Sequence, residues 1–355
     1  MNFLIKKMKN KKIDIRALNK EELEAFFISH NRPKFRANQV YQWLWKHHQL
    51  DFSQMSNLSF SDRRLLSEYC VVNNLEIVEK NTSTDGTVKF LFKLNETNVV
   101  EGVLIPHLNR LTACISSQAG CSLACKFCAT GTLSLYRNLT AGEIYDQIYL
   151  INKHCFEIFN KPITNIVYMG MGEPLLNMGQ VVKSISHIIS ENGMGMSPKR
   201  ITVSTAGIAK MIKRLADINP KCNLAISLHA ANNQKRTQIM EINNSNNLEM
   251  LAESLKYFYN KTKIKPTYEY ILLKDVNDSS QDAHDLIDFC KKTPSKVNLI
   301  EYNKVEGLLY EKSTQKDTNR FISLLEKHNV VVKLRKSRGE DINAACGQLA
   351  TQQIK

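Results

Sequence analysis

No apolar stretch in this chain of 355 residues approaches the length of a membrane-spanning helix. Its opening run, MNFLIKKMKNKK, is basic but lacks the apolar centre of a secretory signal. Both absences point to the cytoplasm. The nine cysteines make an odd number, which without a secretory segment excludes a disulfide-built scaffold and points to a reducing compartment. Apart from Cys125 and Cys128 there is no Cys-x-x-Cys pair, and no His-x-x-x-His pair, so a structural zinc would lack its usual second half-site. Acidic residues are in deficit, with 34 Asp and Glu against 48 Lys and Arg, a net charge of +14. That balance suggests a polyanionic partner such as nucleic acid, although lysine richness also serves solubility.

With 43% hydrophobic residues the chain can bury a sizeable core, and its length fits one large enzyme domain plus a smaller accessory one. Residues 1–75 show helical patterns at Lys20–His30, Arg36–His48 and Ser61–Cys70. Lys34, Arg36, Trp43, Trp45, Lys46 and Arg63 give this segment the character of an RNA-binding accessory domain. The alternative is that both tryptophans are core residues of a small helical module. Residues 76–111 read as a β extension, with strands Val88–Leu94 and Val99–Pro106 joined at Asn95–Asn98.

From Thr112 onward strands and helices alternate. Strands are expected near Thr112–Ser117, Asn165–Met169, Ile201–Thr205, Asn223–Leu228, Thr267–Leu273 and Val297–Tyr302, with a last helix, Lys316–His328, leading to the strand Val330–Arg335. Six strand–helix units imply an α/β fold, a parallel sheet with helices outside. In barrels of this kind the chemistry sits at the C-terminal ends of the strands.

The loop after the first of these strands carries Cys121, Cys125 and Cys128. Thiolates are the usual ligands of iron–sulfur clusters. A cubic cluster needs four ligands, and three close thiolates leave one iron open to a small molecule. Buried structural cysteines are a second reading, but Gly120, Ser122, Lys126 and Gly131 mark a loop rather than a packed core. Zinc at Cys125 and Cys128 is a third. The spacing Cys-x-x-x-Cys-x-x-Cys resembles the signature of the radical S-adenosylmethionine (SAM) enzymes. That resemblance implies one [4Fe–4S] cluster on three cysteines, SAM on the open iron, and a partial (β/α)6 barrel.

Polar residues recur at the strand ends. Met169-Gly-Met-Gly-Glu-Pro174 closes the second strand, where the glycines permit close approach of a ligand and Glu173 offers an acceptor for an ammonium group. Ser204 ends the third strand, Ser227-Leu228-His229 the fourth, and Asn303 follows the sixth. His229 alone would read as a structural histidine. Beside the cysteine loop, the set Glu173, Pro174, Ser204, Ser227, Leu228, His229 and Asn303 reads as a SAM site.

Three longer strings narrow the resemblance. They are Cys114-Ile-Ser-Ser-Gln-Ala-Gly-Cys121, Met169–Asn177 and Arg338-Gly-Glu-Asp-Ile-Asn-Ala-Ala-Cys-Gly-Gln-Leu-Ala350. Together they resemble the RNA adenine methyltransferases of the RlmN/Cfr type. The resemblance implies that Cys346 takes a methyl group from one SAM, while a second SAM is cleaved to a radical that activates that methyl. It further implies that Glu101 accepts the ring proton and that Cys114 releases the product through a disulfide. Without it, Cys114 and Cys346 would read as core cysteines and Glu101 as an outward strand carboxylate. The substrates implied are adenine 2503 of 23S rRNA and adenine 37 of certain tRNAs, with an external electron donor such as flavodoxin, a monomeric enzyme and no membrane.

Four positions depart from the usual strings: Ser134 for glycine, Glu241 and Lys304 for proline, and Asn343 for aspartate. None removes a candidate ligand or reactive cysteine. Gly172-Glu-Pro174 and Arg338-Gly339 resemble the enzymes that methylate C2 rather than the branch that methylates C8. A zinc-stabilised RNA-binding module is the non-enzymatic alternative.

Overall fold

The computed structural model describes residues 12–94 and 98–350. The basic opening run up to residue 11 and residues 95–97 of the expected strand junction lie outside the described residues. A ten-stranded sheet dominates, formed by β1 (Glu76–Thr82), β2 (Val88–Lys93), β3 (Val99–His107), β4 (Arg110–Cys114), β5 (Asn165–Tyr168), β6 (Ile201–Thr205), β7 (Asn223–Ser227), β8 (Thr267–Leu272), β9 (Lys296–Glu301) and β10 (Val332–Arg335). Each strand lies beside its sequence neighbour from one edge to the other. β1 to β4 pair antiparallel, with registers such as Lys93 opposite Val99 and Val103 opposite Cys114. From β4 to β10 every pairing is parallel. Residues 76–111 thus extend the barrel sheet, and they include β1, a strand the sequence pattern did not reveal.

Parallel strands need crossover helices, which cover the sheet and bury it. Six of the helices do this work: α4 (Ala141–Phe159), α5 (Met178–Ile189), α6 (Ala209–Ile218), α8 (Leu248–Thr262), α9 (Ser280–Cys290) and α10 (Gln315–Lys327). A short α7 (Asn233–Ile239) precedes α8 and escaped the sequence reading. α4 begins with a reciprocal capping box, Thr140 and Glu143, which satisfies two otherwise orphaned amides. Ile166, Val203, Leu224, Ile226, Tyr268 and Leu299 are buried along the strands.

Three N-terminal helices, α1 (Lys20–Ser29), α2 (Phe35–Trp45) and α3 (Phe60–Tyr69), share one hydrophobic core with the barrel. Trp45 is buried and stacks on His187 of α5 at 3.6 Å, while Tyr41 Oη lies 2.7 Å from His187 Nδ1. Burial lowers the pKa of His187 to about 3, helped by Lys183 and Arg16. Trp45 is therefore a core residue, whereas Trp43 is only partly buried and donates to Asn57 Oδ1 at 2.6 Å.

The seam is completed by Asp146 of α4. Its carboxylate accepts from Arg16 at 2.5 and 2.9 Å, from the Leu75 amide at 3.0 Å, and meets His48 Nε2 at 2.8 Å. Burial would raise its pKa, but Arg16 and His48 outweigh that and hold it below the usual carboxylate range. Removing one partner of a buried pair strands the other charge. Arg16→Met should therefore cost roughly 3–5 kcal/mol in urea unfolding, and a loss under about 1 kcal/mol would show that the pair contributes little.

Candidate active site

The cysteine loop leaves the C-terminal end of β4. Its entry is fixed by a two-residue pairing of Gln118–Ala119 with Arg137–Asn138. Cys125 and Cys128 are half-buried and pack against a small apolar cluster that includes Phe127, Met240 and Ile271. Gly131 allows the loop to fold tightly, because a Cβ there would stand 2.5 Å from the Cys125 carbonyl oxygen. Burial pushes the Cys121 thiol up to about 11 and raises Cys125 and Cys128 as well, with Cys128 adding to the shifts of Cys121 and Cys125. Thiols in that state ionise when a metal takes them as ligands. Among the described residues no three His, Cys, Asp or Glu side chains are arranged to hold a single metal ion. Three thiols on one loop are the donors that an iron–sulfur cluster takes as ligands. The donor set therefore fits the cluster implied by the sequence.

Around this loop the strand ends converge. Glu173 is buried, and burial raises its pKa. Its Oε1 accepts from the Leu175 amide at 2.9 Å and its Oε2 from the Ala206 amide at 2.7 Å, so it ties the turn after β5 to the end of β6. Pro174 begins the short helical turn that follows. Gly172 adopts φ +91°, and a Cβ there would meet Gln118 Cβ at 2.4 Å. Ser204 is buried near the end of β6 and Ser227 closes β7. The Leu228 amide donates to the Glu269 carbonyl at 3.0 Å.

His229 takes a left-handed φ of 55°. Its Nδ1 accepts from the Ile271 amide at 3.0 Å and its carbonyl accepts from Asn277 at 2.6 Å. Burial, with Arg236 nearby, lowers its pKa to about 3, so the ring is neutral. Phe127 of the cysteine loop meets it edge-on at 4.7 Å. Asn303 donates to the Cys346 carbonyl at 3.3 Å, while its own Oδ1 is buried without a hydrogen-bond partner. Such an acceptor is costly to bury and marks a place for a ligand's donor.

Cys114 is the last residue of β4 and is buried; Cys346 is half-buried on the closing segment. Burial raises Cys114 to about 12, neighbouring Cys346 adds to this, and Arg335 opposes it. Cys346 also acts electrostatically on Cys128. The structure thus brings cysteines from distant parts of the sequence to one place. Residues 343–350 are tied to the cysteine loop by Ala129 N to Gly347 O at 2.7 Å and by Thr130 Oγ1 to Leu349 O at 2.5 Å. Glu101 is buried rather than outward-facing, and accepts from the Ala350 amide at 2.8 Å.

The four departures are accommodated. Ser134 and Glu241 are exposed; Lys304 contributes its carbonyl, which accepts from Gln348 at 2.9 Å; Asn343 occupies a left-handed φ of 52°, which asparagine tolerates well. Sequence reasoning missed Arg236, which is fully buried and donates to the Ala206 and Leu228 carbonyls at 2.6 and 3.1 Å. It also missed the Arg335–Glu269 ion pair at 3.1 Å. For Arg335 the signal was its position at a barrel strand's C-terminal end; for Arg236 the sequence carried none.

A sequence profile described as the ribosomal RNA large subunit methyltransferase N-terminal domain matches residues 13–72, and that of the radical SAM superfamily matches residues 115–289. A protein of Christiangramia forsetii described as a probable dual-specificity RNA methyltransferase RlmN is 49% identical, over 97% of this chain and 98% of its own. The dual-specificity RNA methyltransferase RlmN of Wigglesworthia glossinidia brevipalpis is 43% identical, over 96% of this chain and 90% of its own. The chain belongs to the RlmN family of radical SAM RNA methyltransferases. The crystal structure of a radical SAM methyltransferase from Sphaerobacter thermophilus superposes with a TM-score of 0.89 at 34% identity, over 95% of this chain and 99% of that one. The radical SAM fold expected from the sequence is thereby established, and membership implies a SAM-dependent radical enzyme with an iron–sulfur cluster. No helix among the described residues is long and apolar enough to cross a membrane.

Gly131→Ala should displace Cys125 without unfolding the barrel. Iron content per chain should fall below about half of wild type while the far-ultraviolet dichroism is unchanged, and full iron content would contradict the tight-loop account.

Proposed function

We propose that this enzyme methylates C2 of adenine 2503 in 23S rRNA and C2 of adenine 37 in tRNAs, carrying the methyl group on Cys346 and using two SAM molecules per turnover. The observation that supports this most is that the segment carrying Cys346 is tied to the cysteine loop, by Ala129 N to Gly347 O at 2.7 Å, and to the end of β9, by Asn303 to the Cys346 carbonyl at 3.3 Å. Adenine C2 is electron-poor and has no nucleophilic lone pair, so direct transfer from a sulfonium fails there. Bound to Cys121, Cys125 and Cys128, one [4Fe–4S] cluster supplies the electron that breaks a sulfur–carbon bond of SAM, the electron itself coming from an external donor such as flavodoxin.

Glu173, Pro174, Ser204, Ser227, Leu228, His229 and Asn303 form the rim on which SAM is held in this reading. Neutral His229, whose Nδ1 accepts from the Ile271 amide, offers its Nε2–H to an adenosine acceptor, and the unpartnered Asn303 Oδ1 suits an amino donor. Cys346 first accepts a methyl group. After that methyl loses a hydrogen atom, its carbon bonds to C2 of an adenine flipped from an RNA loop. The radical adduct gives up its unpaired electron to a one-electron acceptor, and Glu101 takes the ring proton. Cys114 thiolate then attacks Cys346 Sγ: a sulfur–sulfur bond forms, the sulfur–carbon bond breaks, and its electron pair takes up a proton to leave the methyl product. Basic groups of residues 1–75 position the RNA through phosphate contacts, in a monomeric, cytoplasmic enzyme. Arg338-Gly339 and Gly172-Glu-Pro174 favour C2 over C8 by similarity alone.

Cys114→Ala separates these roles. The variant should still carry methyl on Cys346 and still bond to RNA, then remain as a covalent adduct. Denaturing electrophoresis with and without nuclease should reveal nuclease-sensitive retardation that disappears in Cys114→Ala/Cys346→Ala. If Cys114→Ala ran as free protein with Cys346 methylated, this division of labour would be wrong.

A further inference from the structure

Glu101 is 2% exposed, and its oxygens engage separate partners. Oε2 accepts from the Ala350 amide at 2.8 Å, and Oε1 lies 3.3 Å from Lys89 Nζ. The same Lys89 ammonium reaches the Asn343 carbonyl at 3.4 Å. Asn343 and Ala350 flank Cys346 on either side. One carboxylate–ammonium pair, on the adjacent strands β2 and β3, therefore grips the cysteine-bearing segment at both ends.

Between those ends the segment is also held by Ala129, Thr130 and Asn303, which donate to the carbonyls of Gly347, Leu349 and Cys346. Left-handed residues at Asn343 and Gly347 (φ 84°) keep it out of helix or strand, and its internal hydrogen bonds are confined to the turn at Ala345–Gln348. Its placement rests on outside partners. Hydrogen bonds to a charged acceptor are the stronger kind, and a buried carboxylate stripped of its partners is costly.

We propose that Glu101, together with Lys89, is the dock that sets the methyl-carrying segment in place, in addition to accepting the ring proton. This rests on the reading of Cys346 as carrier. The two tasks draw on one carboxylate. When the ring C–H bond breaks, its electron pair stays on the ring and its proton forms an O–H bond on Glu101, so the Ala350 amide loses its charged acceptor and is held less tightly. The segment's end is thus loosened at the step after which Cys114 must reach Cys346. Lys89 remains beside the carboxylate throughout and is a positioning residue.

The test compares Glu101→Gln, Glu101→Ala, Lys89→Met and Lys89→Arg, each purified with its cluster, by hydrogen exchange of residues 343–350 and by the methylated fraction of Cys346 in peptide mass spectra. Glu101→Gln keeps an acceptor oxygen without the charge, as the protonated carboxyl does, and should exchange faster than wild type but slower than Glu101→Ala. Glu101→Ala and Lys89→Met should exchange about tenfold faster at the Ala350 amide and carry less methyl on Cys346, and Lys89→Arg should restore both. Iron content reports that the barrel is intact. Wild-type exchange and wild-type Cys346 methylation in both Glu101→Ala and Lys89→Met would overturn the dock. If the dock behaves as stated but Glu101→Gln methylates RNA at the wild-type rate, the proton-acceptor role fails and the dock stands.

Discussion

Arg335 ends β10, yet its guanidinium lies 4.0 Å from the sulfur of Met169, the residue just past β5. Four strands separate β5 from β10 in the sheet. Only a strongly curled sheet brings those ends together, and the inherent twist of parallel strands supplies that curl. The remainder of the site depends on it. Because the strands from β4 to β10 run in one direction, the curl gathers their C-terminal ends around a single mouth. The cysteine loop, the Glu173 turn, His229 and Asn303 each sit on one of those ends.

Such a mouth buries many polar groups, and each needs a partner. Arg236 holds the ends of β6 and β7 through their carbonyls. Glu269 accepts from Asn298 at 2.8 Å and from Arg335 at 3.1 Å, linking β8, β9 and β10 inside the barrel. Glu173 links β5 to β6. The segment bearing Cys346 is held by Glu101, Lys89, Asn303 and the cysteine loop, an arrangement suited to a group that must serve two partners in turn.

The sequence displayed the strands and helices of the barrel because a buried parallel sheet and its amphipathic helices repeat with distinct periods. It displayed the cysteine loop because three thiols at fixed spacing have few other uses. β1 escaped because six of its seven residues are exposed and its pattern lacks apolar alternation. Arg236 and Asp146 escaped because a buried charge is defined by partners distant in sequence. Trp45 could be read as surface or core, and only the stack on His187 decides for core. That shared core also means that residues 1–75 cannot be removed without exposing Asp146 and His187.

The central claim is that the methyl group passes through Cys346 to the base. Protein whose Cys346 has been premethylated with a deuterated methyl group can be given unlabelled SAM, reductant and a ribosomal RNA fragment for a single turnover. The claim predicts that the deuterium, less the one atom removed on activation, appears in 2-methyladenosine by nucleoside mass spectrometry. Unlabelled product, with the deuterated methyl still on Cys346, would contradict it.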